Sequence, residues 1–228
     1  MFIAYTNSYG YHSILAVRLL QLYKSNDILS YMKSTDANKP HLIITVGIPG
    51  SGKSFFAEHF ADIFKAPIIS YDLLRRQIFS NPAFSDDEDS IIAKVANHVL
   101  DEVLKTKRTV IYEGKTNLRA GRLTIAKKAR EAGYEPLFVW VQTESSAAKL
   151  RATKASVEKP AMDPSTFDLK IRQFTLPNQT ERAIVISGKH TFASQLKIVL
   201  KHLIEPRVGT DSQSESSQPH ANRNYLIR

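Results

Sequence analysis

The sequence predicts an α/β fold of three layers, with a five-stranded parallel sheet between two layers of helices. Two observations predict it. From His41 onward, short β-branched runs alternate with longer stretches of helical apolar spacing, the pattern of a parallel sheet covered on both faces. Between the first run and the first stretch lies Gly47-Ile48-Pro49-Gly50-Ser51-Gly52-Lys53-Ser54, a complete G-x-x-x-x-G-K-[ST] phosphate-binding loop.

The elements follow in order. His41-Leu42-Ile43-Ile44-Thr45-Val46 reads as a buried parallel strand, and Ser54 to Phe64 carries apolar residues at helical spacing. Ala66 to Ser70 reads as a second strand and Asp72 to Phe79 as a short helix. Asn81 to Asp89 reads as a loop, and Ser90 to Lys105 as a helix whose start is favoured by Asp86-Asp87-Glu88-Asp89. Arg108 to Tyr112 is a third strand, and Leu118 to Ala132 a basic helix stopped by Gly133. Pro136 to Val141 is a fourth strand, Ser145 to Lys154 a helix, and Ala155 to Ser165 a loop with two prolines. Ala183 to Ser187 is a fifth strand, followed by a helix from about His190 to Leu203.

The ends are different in kind. Ser13 to Lys24 reads as an amphipathic helix with Leu15, Leu19 and Leu22 on one stripe, and Ile28 to Met32 as a second short helix. Residues 1–40 are therefore expected to be an N-terminal helical extension and linker, 41–206 the nucleotide-binding domain, and 207–228 a tail. Thr210 to Asn224, rich in Ser, Gln and Asn, has the composition of a disordered segment.

Composition narrows the function classes. The chain has 228 residues, 43% hydrophobic and 23% charged, which is ordinary for a globular domain. With no cysteine, a disulfide framework, a thiolate metal site and a cysteine nucleophile are all excluded. No apolar run is long enough to span a membrane, and the N-terminus lacks the pattern of a secretory signal, so a cytoplasmic location is expected. A net charge of +9 suits polyanionic partners, nucleic acid included, and suits equally a phosphate-handling protein with solvated basic helices.

Each residue type in the loop has a chemical reason. Gly47, Gly50 and Gly52, with Ile48, Pro49 and Ser51 between them, let backbone N–H groups curl around phosphates. The following helix adds unpaired N–H donors and a partial positive charge. Lys53 reaches the β- and γ-phosphate oxygens of ATP, and the Ser54 hydroxyl can ligate Mg²⁺. At the end of the second strand, taken as the neighbour of the loop's own strand, Asp72 can take a proton from an acceptor hydroxyl. Arg75, one turn on, can clamp an acceptor phosphate. The plain alternative is that Asp72 only caps the helix from Leu73. Arg119 and Arg122 would meet a phosphorylated acceptor if they lie at the same sheet edge; Trp140 reads as core. The aromatic interleaving of a stacking platform for single strands is sparse, and no zinc-ligand spacing is present.

The loop G-x-P-G-S-G-K-S followed by D-x-x-R at Asp72 and Arg75 resembles the phage polynucleotide kinase-like P-loop family. That resemblance implies a three-layer P-loop NTPase architecture, with Asp72 as catalytic base and Arg75 in acceptor-phosphate recognition. It also implies a carboxylate after the third strand, shortly before T-N-L. Here Glu113 stands in that place, with Thr116-Asn117-Leu118 following at wider spacing, and it can hold Mg²⁺ through water. Of the family's two lid arginines, Arg151 matches the first; Ala155, beside Lys154, stands at the second. Lys53 and Arg151 are then expected to neutralise the transferring phosphoryl group. Zeta-toxin-like kinases and small-metabolite kinases carry a similar loop, so the acceptor stays open among polynucleotides, nucleotides, sugar nucleotides and small metabolites. A rival from another class is a non-catalytic, ATP-dependent module that binds nucleic acid or a protein partner.

Overall fold

A computed structural model describes residues 39–83, 85–154 and 161–204. The expected N-terminal helices and the tail from Thr210 to Asn224 lie outside the described residues.

Five parallel strands form one sheet: β1 (His41–Val46), β2 (Ile68–Ser70), β3 (Val110–Glu113), β4 (Glu135–Gln142) and β5 (Ile184–Ser187), in the order β2-β3-β1-β4-β5. Seven α-helices among the described residues connect or cover them: α1 (Lys53–Phe64), α2 (Tyr71–Ile78), α3 (Asp86–Lys105), α4 (Arg119–Glu131), α5 (Ser145–Ala152), α6 (Pro164–Arg172) and α7 (Phe192–Ile204). The residue alternation in β1 sets the layers, because successive side chains of a strand point to opposite faces. Ile43 packs with Phe56 and Phe60 of α1 and with Leu196 and Val199 of α7. Leu42, Ile44 and Val46 pack with Ala96 and Leu100 of α3 and with Ile125 and Ala129 of α4. All of these side chains are fully buried or within a few per cent of it.

Three differences from the expected elements have local causes. Helix α3 starts at Asp86, not Ser90, because the Ser85 side chain accepts from the Glu88 N–H and caps it. All four acids from Asp86 to Asp89 thus fall in its first turn. Helix α6 was not anticipated; Asp163 caps it and Pro164 opens it, a favoured pair at a helix start. The strand order also corrects the expectation that the second strand neighbours the loop's strand. β3 lies between them, with Ile44 beside Tyr112 and Ser70 beside Glu113. The carboxylate next to the phosphate-binding loop is therefore Glu113, and Asp72 stands one strand further out.

Candidate functional site

The loop leaves β1 and enters α1 at the C-terminal edge of the sheet, where open α/β folds bind ligands. Gly50 takes φ +72°, and a side chain there would overlap the backbone oxygen of Ala148 in α5. Thr143 Oγ1 donates to Ser51 O at 2.9 Å, so the end of β4 braces the loop's midpoint. Helix α1 has Gly52 at its N-cap position and no side-chain cap, leaving its first N–H groups to a ligand. Lys53 Nζ donates to Ile48 O at 3.0 Å, folded across the loop from which it came.

Glu113 is the hub. Its carboxylate is almost buried at 7% exposure. Ser54 Oγ donates to its Oε1 at 2.6 Å, and Ser70 Oγ to its Oε2 at 3.1 Å. One carboxylate thus joins the first turn of α1 to the junction of β2 and α2. Ser70 also caps α2, accepting from the Leu73 N–H at 3.4 Å. The capping alternative for Asp72 is therefore set aside: Asp72 is the second residue of α2, exposed, while its neighbour Ser70 does the capping.

Arg75 is directed inward. It is 7% exposed and ion-paired with Asp89, with its Nε 3.7 Å from Glu88. Lys115 Nζ lies 3.1 Å from the other oxygen of Asp89. Burial works to raise the Asp89 pKa, but the hydrogen bond and charge of Lys115 and those of Arg75 outweigh it and hold the carboxyl below its ordinary value. Between the two carboxylate-bearing segments, Tyr112 donates to Tyr71 Oη at 3.2 Å. Gly114 lies against both rings; a Cβ there would stand 2.7 Å from each.

The expectation for Arg122 is corrected. Its side chain is wholly buried, with Nε 2.6 Å from Glu181 Oε1 and Nη2 3.1 Å from Oε2. Nη1 donates to the carbonyls of Thr116 and Thr175, both at 2.9 Å. Those partners consume the guanidinium in an internal strut, which no anionic acceptor can reach. Arg119 is half-exposed and donates to Thr180 Oγ1 at 3.2 Å. Thr116 of the T-N-L segment donates from Oγ1 to Thr45 O at 2.8 Å, tying the chain after β3 to the end of β1. Arg151, exposed at the end of α5, donates from Nη1 to Gly188 O at 3.0 Å, and Gly188 packs on Ser51. Trp140, half-buried, packs against the core beneath α3 and α4.

Ser54 and Glu113 fit a hard divalent cation. Both offer oxygen, they are already in contact, and Mg²⁺ takes one or two protein ligands and keeps water and phosphate for the rest. Among the described residues no group of three or more His, Cys, Asp or Glu side chains could hold a metal ion, and no helix is long and apolar enough to cross a membrane.

Sequence reasoning missed Ser70, Asp89 and Lys115. A serine directly before a helix was a readable cap signal. The pairings of Asp89 had no local signature, since their partners lie on other elements.

A family model described as an AAA domain matches residues 42–176. No curated protein matches the chain. Among solved structures, the chain is similar to a gluconokinase from Sinorhizobium meliloti 1021, at 19% identity and TM-score 0.55, covering 73% of this chain and 93% of that one. It is similar to the APS kinase CysC from Mycobacterium tuberculosis, solved with AMPPNP and APS, at 17% identity and TM-score 0.54, covering 73% and 99%. It is also similar to a chain of the Pnkp1/Rnl/Hen1 RNA repair complex, at 22% identity and TM-score 0.52, covering 64% and 46%. At these identities the likeness shows the fold, a P-loop kinase-like three-layer sheet.

Proposed function

The chain belongs to the AAA domain family over residues 42–176, and from that premise we propose that it is an ATP-dependent phosphotransferase acting on a hydroxyl acceptor. The observation that carries this reading is the clasp of Glu113 between Ser54 and Ser70. It brings the phosphate-binding loop, a metal-competent carboxylate and the start of the Asp72 helix to one point. A switch or motor would need only the first two.

In this reading ATP lies along Gly47–Ser54, its phosphates on the loop N–H groups and the start of α1. Ser54 would hold Mg²⁺ directly and Glu113 would hold it through water; when bound, the ion neutralises charge on the β- and γ-phosphates. Asp72 accepts the proton of the acceptor hydroxyl as its oxygen bonds to the γ-phosphorus, and the bond to the β–γ bridging oxygen breaks, releasing ADP. Lys53 exchanges its loop carbonyl for phosphate oxygens and follows the charge as it moves. Arg151, beside the turn that packs on Ser51, adds a second cation on the donor side.

The similar structures include a gluconokinase, an APS kinase and a chain of an RNA repair complex, so the acceptor is a matter for experiment. The binding-module rival needs a continuous basic face. Its case is weakened because Lys65, Lys105, Lys127, Lys128, Lys149 and Lys189 are each paired with an acid. The test is transfer of label from γ-³²P-ATP to 5′-hydroxyl oligonucleotides, nucleosides, sugar nucleotides and small hydroxylated metabolites. Label is expected on one class and absent with Lys53→Ala. Nucleic-acid binding with no labelled acceptor would favour the rival.

A further inference from the structure

Two segments carry the chemistry proposed above: the α2 helix with Asp72, and the end of β3 with Glu113 and the turn that follows it. They leave adjacent strands at the same sheet edge, where Ser70 and Glu113 are register partners. The Ser70–Glu113 and Tyr112–Tyr71 hydrogen bonds tie them, both at their roots. Beyond them the chain diverges, one branch to Arg75 and the other to Lys115. Ties confined to the roots leave a hinge; fixing an orientation takes one further out.

We propose that Asp89 supplies this outer tie and is a positioning residue for Asp72 and Glu113. One oxygen of its carboxylate takes the Arg75 guanidinium and the other takes Lys115 Nζ at 3.1 Å. The carboxylate belongs to neither segment. It stands in the first turn of α3, whose body is locked into the core by Ile92, Ala96 and Leu100, all fully buried. Glu88, its neighbour, secures the approach to α3 by accepting from the Ala83 N–H at 2.7 Å. Arg75 lies between these two acids with its side chain 8% exposed, on the packed side of α2. The acceptor-clamping role expected of Arg75 from the family resemblance therefore gives way to an internal one: Arg75 holds the Asp72 helix through Asp89. The consequence for substrate is that recognition of an acceptor phosphate, if the acceptor carries one, falls to residues other than Arg75.

The inference rests on the phosphotransferase reading for the roles of Asp72 and Glu113, but the tie itself is testable without turnover. Hydrogen exchange is compared between the full-length chain and Asp89→Asn, in the absence of nucleotide. Exchange should rise about tenfold or more in both Tyr71–Ile78 and residues 114–118, with α1 unchanged. A rise confined to the first turn of α3, or to only one of the two segments, would overturn the proposal. Should Asp89→Asn unfold globally, Lys115→Met decides, since that side chain is half-exposed. It should loosen 114–118 and spare α2, and no change at 114–118 would count against the tie. Under turnover, Asp89→Asn should lower kcat about tenfold while the KM for ATP moves less than about twofold. Loosened segments with unchanged kcat would remove the positioning role and leave the phosphotransferase standing. A wild-type chain that labels no acceptor would remove the phosphotransferase and leave the exchange result to judge the tie.

Discussion

Replacing Arg122 by alanine should cost more stability than any other single change at the basic residues of α4. The guanidinium is fully buried, and so is the Glu181 side chain that it pairs with. Removing one partner of such a pair strands the other charge, at a cost of about 3–5 kcal/mol. The freed carbonyl of Thr116, a buried residue, adds to that. For a chain of this size, 1 kcal/mol shifts Tm by roughly 2–4 °C, so a fall on the order of 10 °C is expected. Calorimetry would measure it. The double variant Arg122→Met/Glu181→Leu should melt above Arg122→Ala, since it removes the stranded charge as well. The pH dependence follows from Glu181. Burial acts to raise its pKa, but the Arg122 hydrogen bond, the Asn178 N–H and the charges of Arg122 and Arg119 hold it below the ordinary 4.5. A depressed folded pKa gives stability that is present above the unfolded value and lost as pH falls through the folded one. The Tm gap between wild type and Arg122→Ala should therefore be largest at neutral pH and above and narrow in acid solution. Two results would refute the reasoning: an unchanged Tm with a raised acceptor KM, which would return Arg122 to the substrate, or a gap that widens in acid.

Lys53→Ala should abolish phosphoryl transfer and leave Tm within about 2 °C, because the side chain contacts the loop and not the core; calorimetry with Mg–ATP and a melting curve check both halves. Gly50→Ala should weaken nucleotide binding and lower stability, with about 1–2 kcal/mol from the left-handed backbone alone and more from the overlap with the Ala148 oxygen; denaturant melts and ADP titration would show it. Glu113→Ala should remove most of the Mg²⁺ dependence of ATP affinity, about tenfold or more, measured by titration with Mg²⁺ and with EDTA.

The parts of the fold that depend on neighbours in sequence were legible in it. β1 runs from His41 to Val46 as its short apolar, β-branched run predicted, and helix Lys53–Phe64 matches the stretch from Ser54 to Phe64 read at helical spacing. What escaped depends on partners far along the chain. The placement of β3 between β1 and β2 is a property of the whole sheet, and it moved Glu113 to the side of the loop. Ser54 and Glu113 are 59 residues apart, and Arg122 and Glu181 are also 59 apart, so no local pattern could pair them. Arg75 shows the limit of a motif: its spacing from Asp72 was readable, while its engagement by Asp89 was set by the early start of α3 at Asp86. Asp163-Pro164 differs, because its helix-start signal was local and was passed over within a segment read as loop.

If Asp72, exposed in the first turn of the helix that Ser70 caps, is the base for an acceptor hydroxyl, its loss should slow transfer and spare nucleotide binding. The most direct measurement compares wild type and Asp72→Asn in γ-³²P transfer to the acceptor class found by screening, with Mg–ATP affinity measured on the same preparations. Affinity should stay within about twofold and transfer should slow on the order of a hundredfold or more. Transfer at the wild-type rate by Asp72→Asn would contradict that role.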